Sequence, residues 1–569
     1  MSITPYYDCI VIGHNEMPFA DYEQLIRSYG TDSETYRDLR FSFLDIQGKK
    51  STYLDLLDYA HERTVWRESE EKPFVSGDMP HLASAYLSNF LRRKGLSSTY
   101  INLFQPCKEQ LRTLLAGNPL CVAITTTLYV LNFPATEIVD FVRECNPRVK
   151  IVIGGPLIAN HARNNRTSCK QTVQIGGLDD MQEQNPFHAI LEDIGADIYV
   201  VESQGELTLS RIVKALKTNG SISEIPNLIY RDGNGFRETS TEPENNDLNE
   251  VDIDWRTSLD SSLGPTIQMR TARSCAFKCA FCNYPTRAGK LSLSSLETVQ
   301  RELDSIRDLG YVKNVVFIDD TFNVPLERFK EICRMMIAQN YGFNWFSYFR
   351  CSNSDEEAID LMAQSGCKGV FLGIESGSPA ILKNMNKAAT VEKYKVGIAL
   401  LRSYQIASFA SFIVGFPGET RETLQETIDF IRGNRPDFYR AQLWYCEPGT
   451  PIQQQRATFD IQGQAFSWSH KHMNSREAME LIEQLFLSIT ESVWLPQWSF
   501  DFWILPYLLG RNISLEKIKE FVAIANQLLA LEIAGTPSQE KYSKQRKYLD
   551  RLLKAVPTWY ASEAVLQVG

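Results

Sequence analysis

Between residues 266 and 450 short apolar runs alternate with amphipathic stretches, and that alternation admits few folds. Thr266 to Arg270, Val315 to Ile318, Phe343 to Phe349, Gly369 to Ile374, Ser408 to Val414 and Arg440 to Trp444 read as strands. Leu296 to Leu309 and Leu326 to Ala338 have helical spacing between them. Parallel strands joined by crossover helices curl toward a barrel, so the stretch is expected to form a partial (β/α)6 barrel of the TIM type. Functional groups in such barrels gather at the C-terminal strand ends. Here those ends carry Asp319, Asp320 and Thr321, then Arg350, then Gly373 to Ser378, and then Gly415-Phe416-Pro417-Gly418-Glu419-Thr420.

The loop after the first of these strands reads Arg273-Ser274-Cys275-Ala276-Phe277-Lys278-Cys279-Ala280-Phe281-Cys282-Asn283, a C-x3-C-x2-C spacing. A 4Fe–4S cube takes four thiolates, so three close together with no nearby fourth leave one iron open to an external ligand. Structural zinc favours paired knuckles that close a tetrahedron. No second pair follows, and the nearest histidines in sequence are His188 and His470, so zinc is the weaker reading. Cys9, Cys107, Cys121, Cys145, Cys169, Cys333, Cys351, Cys367 and Cys446 are dispersed and read as buried free thiols.

With Phe281 directly before its third cysteine, the triad resembles the signature of the radical S-adenosylmethionine (radical SAM) superfamily. The resemblance implies that Cys275, Cys279 and Cys282 hold a 4Fe–4S cluster and that SAM chelates its open iron. Reductive cleavage of SAM would then give a 5′-deoxyadenosyl radical, with a flavodoxin or ferredoxin as electron donor. Glu375 is the leading SAM contact by strand-end position, against a salt bridge at the barrel mouth as the structural alternative. Ser376, Asp319, Asp320, Arg350 and Gly415 are further SAM candidates; the two aspartates and the arginine read equally well as structural ion pairs, and Gly415 to Glu419 as a turn. No catalytic acid or base is assigned. His470 and His472 read as a surface pair in preference to a general base.

Residues 1–220 show a second series of short apolar runs, Cys9 to Gly13, Thr99 to Phe104, Leu120 to Thr126, Lys150 to Gly154 and Asp197 to Val201, with helical patterns between them. This is the alternation of a Rossmann-like doubly wound sheet. The run Asn146 to Pro156, followed by Val201-Glu202-Ser203-Gln204-Gly205-Glu206, resembles the cobalamin-binding domain that precedes the barrel in many radical SAM enzymes. Thr125, Thr126, Thr127, Gly154 and Gly155 are the candidate cobalamin contacts. The motif Asp-x-His-x-x-Gly, whose histidine ligates cobalt from below, is absent; His14, His61, His81 and His161 lie in no such context. The lower face of the corrin is therefore expected to lack a histidine ligand.

Residues 221–263 read as an acidic linker whose charge is a solvated face, with a hairpin near Asp232-Gly233-Asn234-Gly235. The barrel domain is expected over 264–451 and a mostly helical region over 452–569, with helices at Arg476 to Val493, Ser514 to Ala534 and Ser543 to Ala555. The aromatic stretch Trp494 to Tyr507 reads as core. A net charge of −10 argues against a nucleic-acid partner. No eighteen-residue apolar run and no signal-peptide pattern is present, so a cytoplasmic protein without a membrane partner is expected.

These features resemble the cobalamin-dependent radical SAM methyltransferases, and Asp8 to Leu39 loosely resembles the subgroup with P-methyltransferases of phosphinothricin-type biosynthesis. The expected activity is methyl transfer to an unactivated carbon or a phosphinate phosphorus of a small molecule or peptide. The alternatives are a non-methylating rearrangement, cyclisation or peptide modification and, third, a non-enzymatic iron–sulfur sensor.

Overall fold

Both series of strands form in the computed structural model, which describes residues 6–46, 48–64, 79–172, 186–202, 204–233, 235–257, 264–498 and 502–558. Ser203 and Asn234 lie outside the described residues, as does the side chain of Cys169. The chain divides into two compact units, each discontinuous in sequence. One comprises Met1–Met17, Pro80–Leu263 and Glu297–Gly310; the other comprises Pro18–Met79, Gly264–Leu296 and Tyr311–Gly569.

In the first unit the sheet runs Ser98–Leu103, Cys9–His14, Cys121–Thr125, Lys150–Gly154 and Ile198–Val200, all parallel. Strands covered on both faces read as continuous apolar runs, as Cys9 to Ile12 does. Ile10, Ile12, Ile124 and Ile153 share one core with Ile138 and Val142 of the Phe133–Cys145 helix. The sheet does not stop where the sequence reading ended it. Leu228–Asp232 adds an antiparallel strand through the pair Val200 and Leu228, and Gly235–Glu238 follows as the second arm of the hairpin.

The acidic segment is also less solvated than its composition predicts. Buried Glu244 accepts from the backbone amides of Leu207 and Thr208 at 2.9 and 2.8 Å, satisfying the N-terminus of the Glu206–Lys217 helix. Buried Asp252 pairs with Arg301 at 2.8 Å and Arg93 at 2.9 Å. Anchors of this kind draw the segment into the unit.

The second unit holds an all-parallel sheet in the order Thr266–Met269, Asn314–Phe317, Asn344–Phe349, Cys367–Glu375, Ala407–Val414, Phe438–Leu443 and Val493–Trp494. The last strand is a correction, because the expected helix reaching Val493 ends at Ser488. Along Cys367–Glu375, fully buried Val370, Leu372 and Ile374 alternate with half-buried Phe371 and Gly373. That period of two assigns one face to the covering helices and the other to the barrel interior. Phe502 stands against Phe371 and Phe409 at ring distances of 5.7 and 6.1 Å, which fits the core role expected of its aromatic stretch. Among the described residues no helix is long and apolar enough to cross a membrane.

Candidate functional site

The cysteine loop is held by hydrogen bonds to its backbone. Asp319, at the end of the second barrel strand, accepts from the amides of Thr271 and Ala272 at 2.7 and 2.9 Å and from the Thr271 hydroxyl at 2.5 Å. Both its oxygens are used and the residue is buried, so it braces the loop, in line with the structural alternative. A carboxylate at a strand end looks the same in sequence whichever way it turns. Arg328 donates to the Thr271 carbonyl at 3.1 Å, and Ser274, at φ 73°, donates to the Gly289 carbonyl at 2.7 Å. Farther along, the Ala280 amide donates to the Met385 carbonyl at 2.8 Å, and Asn386 donates to the Lys278 carbonyl at 2.8 Å.

Cys279 is buried, whereas Cys275 and Cys282 are half-buried. Burial pushes the Cys282 thiol above its ordinary value, and the charges of Cys279 and Cys275 add to the rise. The three thiols are therefore in electrostatic reach of one another. Among the described residues no three His, Cys, Asp or Glu side chains gather around a single metal ion. A cube binds each thiolate to a different iron and needs a wider spread than one tetrahedral ion. The donor set, three thiols on a braced and partly open loop, fits a cluster.

Glu375 ends the fourth barrel strand in the left-handed region at φ 68°, where the register with the next strand shifts. Its Oε1 accepts from Lys387 Nζ at 3.0 Å, and both residues are buried. Gly373 makes room for this pair, since a Cβ there would stand 2.5 Å from Glu375 Oε1. The salt bridge anticipated as the structural alternative is thus present, with Oε2 outside it. Lys387 also lies 5.4 Å from the Phe281 ring centre.

Arg350 lies with its guanidinium 3.6 Å from the Phe277 ring centre. The residue is buried, and neither its Nε nor its Nη2 has a hydrogen-bond partner among the described residues. The Tyr394 hydroxyl is buried and unpartnered in the same way. Burial pushes the Tyr394 phenol up and keeps it a donor, and the group feels the charges of Arg350, Glu375 and Cys279. Donors left without acceptors in a buried place cost about 1–3 kcal/mol each, so the arrangement suits an anionic ligand.

Asp320 is exposed. Two other candidates make contacts within the fold. Ser376 has no exposed surface; its hydroxyl lies 3.2 Å from that of Thr427 and accepts from the Ser378 amide at 3.1 Å, so it serves the turn into the next helix. Gly415, at φ 86°, leaves the space of a Cβ to the Trp468 ring. His470 is not on the surface but buried, its ring stacked on Trp468 at 5.5 Å, and burial lowers it to about 4; His472 is exposed. Lys387, Asn386 and Tyr394 were not foreseen from sequence. The only signal was an Asn-Lys pair twelve residues beyond the glutamate, and Tyr394 reads as one more apolar position of a helix.

In the first unit the cobalamin candidates occupy adjacent strand ends. Buried Thr126 donates to the Gly154 carbonyl through its amide and its hydroxyl, at 2.9 and 3.0 Å. Gly155, at φ 109°, would place a Cβ 2.9 Å from the Thr126 hydroxyl. The Thr125 and Thr127 hydroxyls lie 2.8 Å apart, with Thr127 exposed. A tight backbone and the exposed Thr127 at these strand ends fit the edge of a polar cofactor.

Residues 269–431 match the radical SAM superfamily and residues 75–177 match the B12 binding domain. Over 393 residues the chain is 25% identical to an uncharacterised methyltransferase of Pyrococcus horikoshii, an alignment that covers 68% of this chain and 80% of that protein. Over 409 residues it is 25% identical to an anaerobic magnesium-protoporphyrin IX monomethyl ester cyclase of Cereibacter sphaeroides, covering 67% and 61%. The structure of TsrM from Kitasatospora setae, a radical S-adenosylmethionine methyltransferase with cobalamin and a 4Fe–4S cluster bound, aligns with a TM-score of 0.53 at 19% identity. That alignment covers 67% of this chain and 75% of the other, and it carries the fold.

Proposed function

Because the chain is a radical SAM enzyme that also carries a B12-binding domain, we propose that it moves a methyl group onto an unactivated carbon or a phosphinate phosphorus of a small molecule or peptide. The observation that carries the reading is the pairing of a braced three-cysteine loop with a separate B12-binding sheet. Neither acceptor atom is nucleophilic enough to attack the SAM methyl directly, which is the problem radical and corrinoid cofactors solve together. When bound, the cluster supplies the electron for SAM cleavage, and the corrinoid supplies a methyl group.

The protein's own part is to hold and orient. Cys275, Cys279 and Cys282 take the cluster, and Asp319 and Arg328 keep their loop in place. Arg350 and Tyr394 offer unpartnered donors to the SAM carboxylate, and Glu375, fixed by Lys387, keeps Oε2 for the amine or a ribose hydroxyl. Donors arranged beforehand spare the cost of reorganising water around the ligand. Similarity to the Cereibacter cyclase favours a second reading, cyclisation without methyl transfer.

Protein purified from cobalamin-supplied cells and reconstituted anaerobically is expected to contain stoichiometric corrinoid and to yield 5′-deoxyadenosine from SAM under a strong reductant. A folded protein without corrinoid would move the assignment to the second reading. A reductant, in the cell a flavodoxin or ferredoxin, is required in either case.

A further inference from the structure

The Cys9–His14 strand has a special position in its sheet. Its parallel neighbours are, counting the strands of this sheet in chain order, the next one on one side, Ser98–Leu103, and the one after that on the other, Cys121–Thr125. The order therefore reverses at this strand, and a parallel sheet opens its ligand crevice beyond the strand ends at such a point. His14 is the last residue of the strand, and Thr125 is the last residue of the neighbour across the reversal. The strand joins the sheet from outside the stretch that matches a B12 binding domain, which begins at residue 75.

The His14 ring is placed by packing alone. It stacks with His81 at 6.2 Å and leans on Tyr129 at 5.6 Å. Gly13 fixes the backbone beneath it, because a Cβ there would meet the Asn102 carbonyl at 2.7 Å and the Ser84 hydroxyl at 2.9 Å. Tyr129 is locked in turn by the Asn15 amide, which donates to its hydroxyl at 2.9 Å. Among the described residues neither ring nitrogen of His14 makes a hydrogen bond; Nδ1 is buried, and the residue as a whole is half-buried. Nδ1 is thus a buried ring nitrogen without a protein partner among the described residues, and Nε2 is not among the buried atoms, so the free edge of the ring is the Nε2 edge. Beside it the loop after Cys121–Thr125 exposes Leu128 and Val130 at 61% and 80%, and the first residue of the helix that follows, Phe133, is exposed at 54%, an apolar strip that the domain's own packing does not use.

We propose that His14 is the axial protein ligand to cobalt in this chain, with Leu128, Val130 and Phe133 lying along the apolar edge of the corrin. The inference rests on the corrinoid reading above. It reverses the expectation that the lower face lacks a histidine. That expectation came from the missing Asp-x-His-x-x-Gly motif, which would require Asp at Ile12 and Gly at Met17. Here the strand itself delivers the imidazole to the crevice, and no motif is needed. Without a carboxylate on Nδ1 to raise its basicity, the ligand bond is weak.

The test is electron paramagnetic resonance of the full chain loaded with cob(II)alamin, prepared with natural and with 15N-labelled histidine. The nitrogen splitting of the cobalt signal is expected to change from a triplet to a doublet with labelled histidine. His14→Ala is expected to retain corrinoid and lose the protein-derived splitting. A splitting that responds only to 15N in the cofactor's own benzimidazole, or no nitrogen splitting at all, overturns the ligand assignment while leaving the corrinoid reading intact. Absence of bound corrinoid by cobalt analysis overturns both.

Discussion

Glu419 has no exposed surface; it accepts from the Gly415 amide through Oε2, and its Oε1 is without a partner among the described residues. Burial pushes its carboxyl up from 4.5 to about 8. The folded state therefore keeps a proton that the unfolded chain releases at lower pH. The stability contributed by this group is complete below the unfolded value and declines as pH rises toward 8. Glu419→Gln keeps the acceptor for Gly415 and removes the proton. Thermal unfolding under anaerobic conditions should show the unsubstituted protein losing more Tm than the Gln variant between about pH 5 and about pH 8. Equal slopes would mean that the carboxyl is not protonated in the fold. The Glu375–Lys387 pair makes a different prediction at the same scale. Lys387→Met leaves a buried carboxylate alone and should cost ~3–5 kcal/mol in urea unfolding, whereas Glu375→Gln combined with Lys387→Met should recover most of that loss. A double variant no better than the single one would show that Glu375 is not buried against Lys387.

Between elements, Gly377 sets how closely the turn after the fourth barrel strand meets the Arg421–Asn434 helix. A Cβ there would stand 2.5 Å from Phe430 Cβ and 2.8 Å from Thr427 Cα, and the Gly377 amide donates to the Thr427 hydroxyl at 3.0 Å. Gly377→Ala should force the helix outward at a cost of ~1–3 kcal/mol. Gly433, in the same helix, would meet nothing within 4 Å, so Gly433→Ala should stabilise by roughly 0.5–1 kcal/mol. Urea midpoints of the two variants must move in opposite directions; a shared direction would refute the packing account. The barrel strands themselves were legible because apolar runs and helical spacing repeat in register from Thr266 to Trp444, and the strand-end glycines and carboxylates stood out against them. The hydrogen bonds of Asp319 and Ser376 were not legible, because sequence records a polar residue at a strand end but not the direction it faces. Val493–Trp494 was missed because two residues carry no period, and Lys387 because its partner lies across a turn and a helix.

For the molecule as a whole, the most consequential feature is that the second unit takes in Pro18–Met79, a segment far from the barrel in sequence. Within that unit Arg37 donates to both carboxylate oxygens of Glu483, at 3.0 and 2.8 Å, and the Tyr53 hydroxyl donates to Asn526 at 2.8 Å. The Asp45 amide donates to Glu532 at 2.7 Å, and the Phe41 ring sits 4.9 Å from that of Trp494. Phe41, Phe43 and Tyr53 are all buried, so removing their segment exposes the helical face they cover and leaves Glu483 and Glu532 without these partners. Burial of three aromatic side chains alone contributes several kcal/mol, at ~1.5–3 kcal/mol each, against a typical net stability of about 5–15 kcal/mol. A fragment of residues 264–569, which a division by sequence order would choose, should therefore aggregate or unfold without cooperativity. Co-expression with residues 18–79 should restore a sharp urea transition, and Arg37→Ala in that segment should weaken the rescue. A soluble, cooperatively folding 264–569 fragment would show that the early segment is an accessory of the barrel and not part of its fold.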